Sequence, residues 1–364
     1  MSAQETLGSA EHGPAVPAGG VTESLWRVRL RLYARASAAN WRLFLASWLG
    51  RIGLAIITVF ALMGLAHPVL MATVWEPRIY DPVTGHDAPV RELTVVEAVT
   101  DPATQIALKT AQLTGNLDAR VGDVVTQRLQ PAPPSRAHLL GTDPLGRDVA
   151  SQLMYSTRAA FGLGALAAIV TVVIATAVGS TAAYFGGITD TTLMRFADLI
   201  MLVPLLPLLI VVSGLVTLQL AHLGVMLGLL SGFGGTAIVL KSQALTVKVK
   251  PFIDAARVAG GGHAHIVFRH IVPNVLPLSL LFMMFTVTGA IATEAVLSFF
   301  GLLNVPMSWG IMLNTTQVSG YLLRSVDYWW LVIPPGLAVT LLTTAFFLVG
   351  RAMDEIVNPR LRAR

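Results

Sequence analysis

The 364-residue sequence contains no cysteine. Disulfides, thiolate metal sites and cysteine nucleophiles are therefore excluded, and cysteine usage says nothing about the redox compartment. Charge is scarce as well. Asp, Glu, Lys and Arg together make up 12% of the chain, against roughly 25% in ordinary globular proteins. There is no Gly-x-x-x-x-Gly-Lys-Ser/Thr loop, so an ATP site of that kind is missing. No internal repeat is visible, and no low-complexity tract beyond the Pro-Gly-Ala-rich N-terminal stretch. What is abundant is apolar surface, at 54% of residues. A water-soluble chain of this length has no means of hiding so much, so its solvent must be lipid. The net charge of +5 is modest and the arginines flank apolar runs. They read as orientation signals rather than a nucleic-acid footprint.

Residues 1–24 carry Glu5, Glu11 and Glu23 and no apolar core segment, which predicts a solvated stretch and no cleavable signal peptide. Arg27, Arg29, Arg31, Arg35 and Arg42 then precede the first apolar run, with Trp41 and Trp48 suited to the headgroup layer. This segment reads as an interfacial amphipathic helix or as a specific lipid or partner site. A membrane helix needs about 20 apolar residues. Candidate spans are 43–71, with Arg51 near its start, and the uncharged 159–185, whose Gly162, Gly164 and Gly179 suit close helix contact. Residues 199–240 are charge-free and would be about 60 Å long as one helix, twice the hydrocarbon core. Two spans are expected there, with a turn near Ala221, His222 and Gly224. The fifth span is placed at 275–301, interrupted by Glu294, and the sixth at 329–349. Pro204, Pro207, Pro277, Pro334 and Pro335 read as bends that shape packing.

Six spans put both termini on one face. The basic N-terminal flank, the loop with Lys241, Lys248, Lys250, Arg257 and Arg269, and the tail with Arg351, Arg360, Arg362 and Arg364 all fall there. The positive-inside rule then puts both termini in the cytoplasm. On the opposite face lies a long loop, 72–155, whose middle, 93–129, spaces Leu, Val and Ala among polar residues. It reads either as a partly helical cap or as a poorly ordered insertion.

Two loops carry distinctive chemistry. In the basic loop 248–272, Pro251 suits a first helical position and Asp254 falls in the first turn, where the helix dipole favours an anion. Ala255 and Ala256 keep one face small, and Gly260 can end the helix in the left-handed conformation. A second helical stretch, 263–270, leads through His270 to Pro273. His263, His265 and His270 match no strong ligand pattern, so no metal is expected. Residues 138–148 read His-Leu-Leu-Gly-Thr-Asp-Pro-Leu-Gly-Arg-Asp. Thr142 or Asp143 is positioned to cap a helix starting at Pro144, followed by a short interfacial helix at 149–158 that feeds the second span. Glu294 is ionisable near membrane depth, and either lines a substrate path or pins the outer end of the fifth helix.

The 254–274 string, with Asp254-Ala255-Ala256, Gly260 and a His270-Ile271-Val272-Pro273-Asn274 exit, resembles the coupling loop of ATP-binding cassette (ABC) importer permeases. One departure is Asp254, where that family usually has Glu. Gly141, Thr142, Asp143, Gly146, Arg147 and Asp148 are similar to the segment before the second span in C-type permeases of dipeptide and oligopeptide importers. Further similarity covers 41–362, apart from an expanded loop at about 85–130 and the N-terminal tail. It runs through Tyr80-Asp81-Pro82, Gly186-Gly187, Glu294-Ala295, Trp309-Gly310, Pro335-Gly336 and Asn358-Pro359-Arg360.

The resemblance implies an all-α polytopic membrane protein, six transmembrane helices of the type I ABC importer permease fold with an enlarged external loop. Its expected organisation is a cytoplasmic tail and basic segment at 1–42, a first helix at 43–71, an extracytoplasmic loop and interfacial helix at 72–158, a five-helix core at 159–351 and a tail at 352–364. It also implies a bacterial plasma-membrane location and a non-catalytic role. The implied partners are a second homologous permease, two ABC ATPases holding ATP and Mg, an extracytoplasmic substrate-binding protein, and a dipeptide or oligopeptide cargo. Other readings stay open: import of nickel chelates or another small solute, a secondary transporter driven by an ion gradient, or a membrane scaffold or sensor built on the outer loop.

Overall fold

Backbone in hydrocarbon finds no water, so each N–H and C=O must be bonded inside its own segment. The architecture follows from that demand. The computed structural model describes residues 41–87, 90–94, 124–128 and 130–357. The basic segment 26–40, the stretch 95–123 of the long loop and the tail 358–364 lie outside the described residues. Readings placed on them are carried no further.

The long elements are α1 (Trp48–Thr73), α3 (Val149–Phe185), α9 (His263–Phe299) and α11 (Trp329–Val357). Between them come two broken pairs, α4 (Gly187–Leu202) with α5 (Leu205–Leu215), bent by 80°, and α6 (Leu220–Phe233) with α7 (Gly235–Lys248), bent by 43°. Among the described residues, four helices are long and apolar enough to cross a membrane, and six crossings result when each bent pair is counted as one. Short helices include α2 (Pro77–Tyr80), α8 (Pro251–Val258) and α10 (Trp309–Val318). One antiparallel ribbon, β1 (Val90–Thr94) with β2 (Val124–Arg128), pairs Val90 with Arg128 and Thr94 with Val124. It closes the base of the long loop, where a helical cap was one expectation.

Several boundaries differ from the sequence reading. The second span and the expected interfacial helix are one helix of 37 residues, α3. Nothing in 149–158 stops a helix, so the chain runs straight through. The third span does not begin as a straight helix at 199. Val203 and Pro204 are extended and separate α4 from α5, because Pro204 has no N–H to donate and restricts the residue before it. The turn expected near 221–224 lies earlier, at 216–219. His222 and Gly224 are inside α6, and Gln219 and His222 form its capping box.

Gly224 was misread because its use is in packing. Gly224, Gly228 and Gly232 recur every fourth residue on one face of α6. A Cβ there would meet Leu166, Val170 and Ile174 of α3, at 2.9, 2.5 and 2.8 Å. Three α3 side chains thus seat directly on the α6 backbone, the close approach that small residues permit between membrane helices. Gly164 and Gly179 play the same part against Val287 of α9 and the Ala237–Lys241 backbone of α7. Gly162, expected in the same role, has no neighbour within 4 Å.

Gly228→Leu should force α3 and α6 apart and cost about 1–3 kcal/mol, the range for overpacking. A thermal melt of the detergent-solubilised chain checks this. An unchanged midpoint would show that the helix pair repacks freely.

Candidate functional site

The loop between α7 and α9 folds as its residues dictate. Pro251 is the first residue of α8 and Asp254 sits in its first turn. Gly260 has φ +81°, and the N–H groups of Gly261 and Gly260 bond Ala256 O and Arg257 O at 2.9 and 3.0 Å. This is the glycine-terminated cap with two back-bonds. One face of α8 is anchored. Ile253 is buried with Ile266, Val267 and Ile271 of α9 and with Tyr184 of α3. His263 Nδ1 and Tyr184 Oη lie 2.8 Å apart, and Lys248 Nζ donates to Ala183 O at 2.9 Å.

The other face is open. Asp254 is 66% exposed and accepts from Arg257 Nη1 at 2.9 Å. Ala255 and Gly260 are exposed, and Ala256 is half-buried. Around them stand Phe252, Val258 at 90% exposure and Phe268 at 72%. Sequence reading missed these apolar groups. Their signal is the single buried position, Ile253, among exposed apolar neighbours on so short a helix. His270 is half-buried, its ring 5.5 Å from that of His265. Pro273 lines a separate apolar groove with Trp41 and Met353. The expected site residues therefore split: Asp254, Ala255 and Gly260 share an open surface, while His270 and Pro273 belong to the root of α9. There Val267–Ile271 forms a π turn just ahead of Pro273, an arrangement that accommodates the missing N–H.

The 138–148 segment forms a polar knot at the opposite end of α3. It does not start a helix at Pro144. Gly146 at φ +81° interrupts any helix there, and Asp143 is captured by the loop itself. Its carboxylate accepts from Leu145 N and Arg147 N at 2.9 Å each, pairs with Arg147 Nη2 at 2.7 Å and accepts from Gln152 Nε2 at 3.0 Å. The N-cap of α3 is Asp148, which accepts from Ser151 N at 2.6 Å. Gly141 has φ +71°, and Thr142 pairs with Asp148 as an antiparallel bridge. Thr142 O accepts from Trp330 Nε1 at 3.2 Å, which ties the knot to α11.

His138 is 1% exposed, and its two ring nitrogens reach Asp148 Oδ2 at 2.8 Å and Asp87 Oδ2 at 2.9 Å. The bond to Asp148 holds the imidazole pKa above its usual value; burial opposes this and the bond to Asp87 adds to it. Asp87 was not singled out from sequence, because it is 51 residues from His138.

Glu294 is 3% exposed and accepts from Ser298 Oγ at 2.6 Å. Gly310 of α10 packs against the same turn of α9, where a Cβ would lie 2.5 Å from Ala295 O. The carboxylate lies inside the fold at the end of α9, and this bond stays within that helix.

With these surfaces in place, comparison with known proteins is informative. Residues 175–363 match the family described as binding-protein-dependent transport system inner membrane component. The chain belongs to this permease family. It is 33% identical over 238 residues to a protein of Brucella suis biovar 1 (strain 1330) named for a peptide transport system permease, covering 65% of this chain and 78% of that one. It is 33% identical over 248 residues to the dipeptide transport system permease protein of Bacillus subtilis (strain 168), covering 66% and 74%. The oligopeptide transport system permease protein of the same organism is 32% identical over 234 residues, covering 63% and 74%. The permease is thus a multi-pass membrane transport subunit. The matched residues take in α8 and the whole of α9, while the 138–148 knot precedes them.

The permease should lose stability as pH rises if His138 works as a clamp. Its raised pKa means the contribution is full below the unfolded value of about 6.5 and is lost as pH climbs through the higher folded value. Melts of the parent and His138→Gln between about pH 5 and 9 should differ most at the acid end and converge at the alkaline end. A constant gap would exclude an ionised clamp.

Proposed function

We propose that this permease forms half of the translocation pathway of an ATP-driven importer of dipeptides or oligopeptides, and that α8 is where a separate ATPase docks. The observation that carries the reading is the two-faced character of α8. Its buried side is rooted through Ile253 in α3, α7 and α9. Its free side offers Phe252, Val258 and Phe268 around the Asp254–Arg257 pair. Apolar side chains and a charged pair on one exposed surface are the usual ingredients of a protein interface. A push on α8 reaches α3 through Tyr184 and Lys248 and α9 through a continuous helix. The spans would then tilt as bodies when the ATPases close on ATP and Mg.

The complex would hold a second permease of the same fold, two ATPases and an extracytoplasmic binding protein, the last in keeping with the family description. The permease itself carries out no chemistry. The basic residues around α8 favour the cytoplasmic side of the plasma membrane for it, which would turn the 138–148 knot outward. Peptide cargo is supported by the relatives named for peptide, dipeptide and oligopeptide transport.

The pathway face is assigned away from Glu294. A mid-span groove of about 240 Å3 is lined by Ser231, Thr236, Thr286, Gly289 and Thr293. Thr286 and Thr293 donate to Phe282 O and Gly289 O of their own helix, which leaves hydroxyl lone pairs for a passing N–H. A groove with hydroxyls and no charge suits peptides of varied side chains.

Asp254→Lys should cut uptake by more than about tenfold, the scale of an interface hot spot, while the second permease still co-purifies and the ATPases do not. Normal uptake would sink the docking assignment. Recovery of the chain with no partner in several mild detergents would sink the importer reading as a whole.

A further inference from the structure

We propose that Arg158 is the head of a phospholipid site, binding the phosphate of a lipid in the leaflet opposite α8. Arg158 lies 27 residues before Phe185 on α3. At 1.5 Å per residue that is about 40 Å, the thickness of a bilayer with its headgroups. The guanidinium therefore stands at phosphate level. Its Nε donates to Gly64 O of α1 at 3.0 Å, which fixes the plane of the group and leaves both terminal nitrogens for a ligand. Among the described residues no carboxylate pairs with it. A cation on a membrane helix calls for a counter-charge, and a planar guanidinium matches phosphate in a two-pronged bond.

Two clefts meet at this residue. One, of about 590 Å3, lies between α3, the start of α6 and the loop before α10, with Gln219 and Asn304 in its wall. The other, of about 530 Å3, lies against α1 and the Asp81–Thr84 turn. Tyr155 and Arg158 belong to both. Below Arg158 the exposed stripe of α3 is apolar and begins with small groups: Gly162, Ala165, Ile169 and Val173. Gly162 has no neighbour within 4 Å, so this stretch is an open, shallow apolar track under the cation. It also accounts for Gly162, which no helix contact uses. The polar head above and the uncharged track below select a diacyl phospholipid over a soluble anion. This inference stands apart from the cargo reading.

The test is a titration of the full chain with phosphatidylglycerol in detergent, read by native mass spectrometry, for the parent, Arg158→Leu, Arg158→Lys and Gly162→Phe. One lipid per chain should bind above background. Arg158→Leu should lose about tenfold or more in affinity, on the scale of a lost charge-assisted bond, and Arg158→Lys should fall between. Gly162→Phe leaves the cation in place and points into open space, so it keeps the fold while filling the track. It should also weaken binding. Phosphatidylcholine should bind and diacylglycerol should not, because the phosphate is the ligand. Equal affinity in all four proteins would overturn the site. Displacement of the lipid by millimolar dipeptide, with no effect of Gly162→Phe, would overturn the lipid assignment in favour of a peptide carboxylate. A matching elution profile and melt for Gly162→Phe rules out misfolding as the cause of its loss.

Discussion

The contact on which the rest of this permease depends is the seating of α3 on glycine backbone. Lipid tails are as apolar as the side chains, so helix association in a membrane has little hydrophobic drive and relies on close packing. Leu166, Val170 and Ile174 obtain it by standing on Gly224, Gly228 and Gly232 of α6. The same helix meets α9 at Gly164 and α7 at Gly179. With α3 held on three sides, α9 and α11 enclose its outer half around Trp309, Trp330 and Leu342. Its other end becomes part of the α8 root through Tyr184 and Ala183.

This arrangement gives the two ends of α3 different characters. At the 138–148 end, the chain is locked by ionic and hydrogen-bonded groups that are nearly all satisfied: Asp143 with Arg147, His138 between Asp87 and Asp148, Thr142 under Trp330. Such a knot holds the base of the long loop in one position. At the α8 end, the bonds are fewer and the surface is open, with apolar groups that water does not favour. One end is locked within the chain, and the other presents exposed apolar groups. Leu205–Leu215 has a single fully buried residue, Leu209, with Val212 half-buried beside it, and leaves most of its other side chains exposed.

The α8 loop was legible because its determinants are local. Proline at the first position, an acid in the first turn and glycine at the end act through backbone geometry and the helix dipole, whatever surrounds them. The bend at Pro204 was legible for the same reason. The turn near Gly224 was misplaced because glycine serves two ends, breaking a helix or letting another approach, and only the neighbour decides which. The capping role given to Thr142 or Asp143 failed similarly. Both are good caps, but Arg147 engages the Asp143 carboxylate and the Ala132 N–H engages the Thr142 hydroxyl. The burial of Glu294 was not legible either, since it depends on how α10 packs beside α9.

The sequence alone determined the lipid solvent, the apolar runs long enough to span it and the place of the α8 helix. Each follows from apolar run length and local backbone rules, which need no partner. Tertiary structure decided which glycines are contacts. It also brought Asp87 to His138 and Arg158 to Gly64. These are relations between residues far apart in the chain, set by how whole helices pack, and no local pattern encodes them.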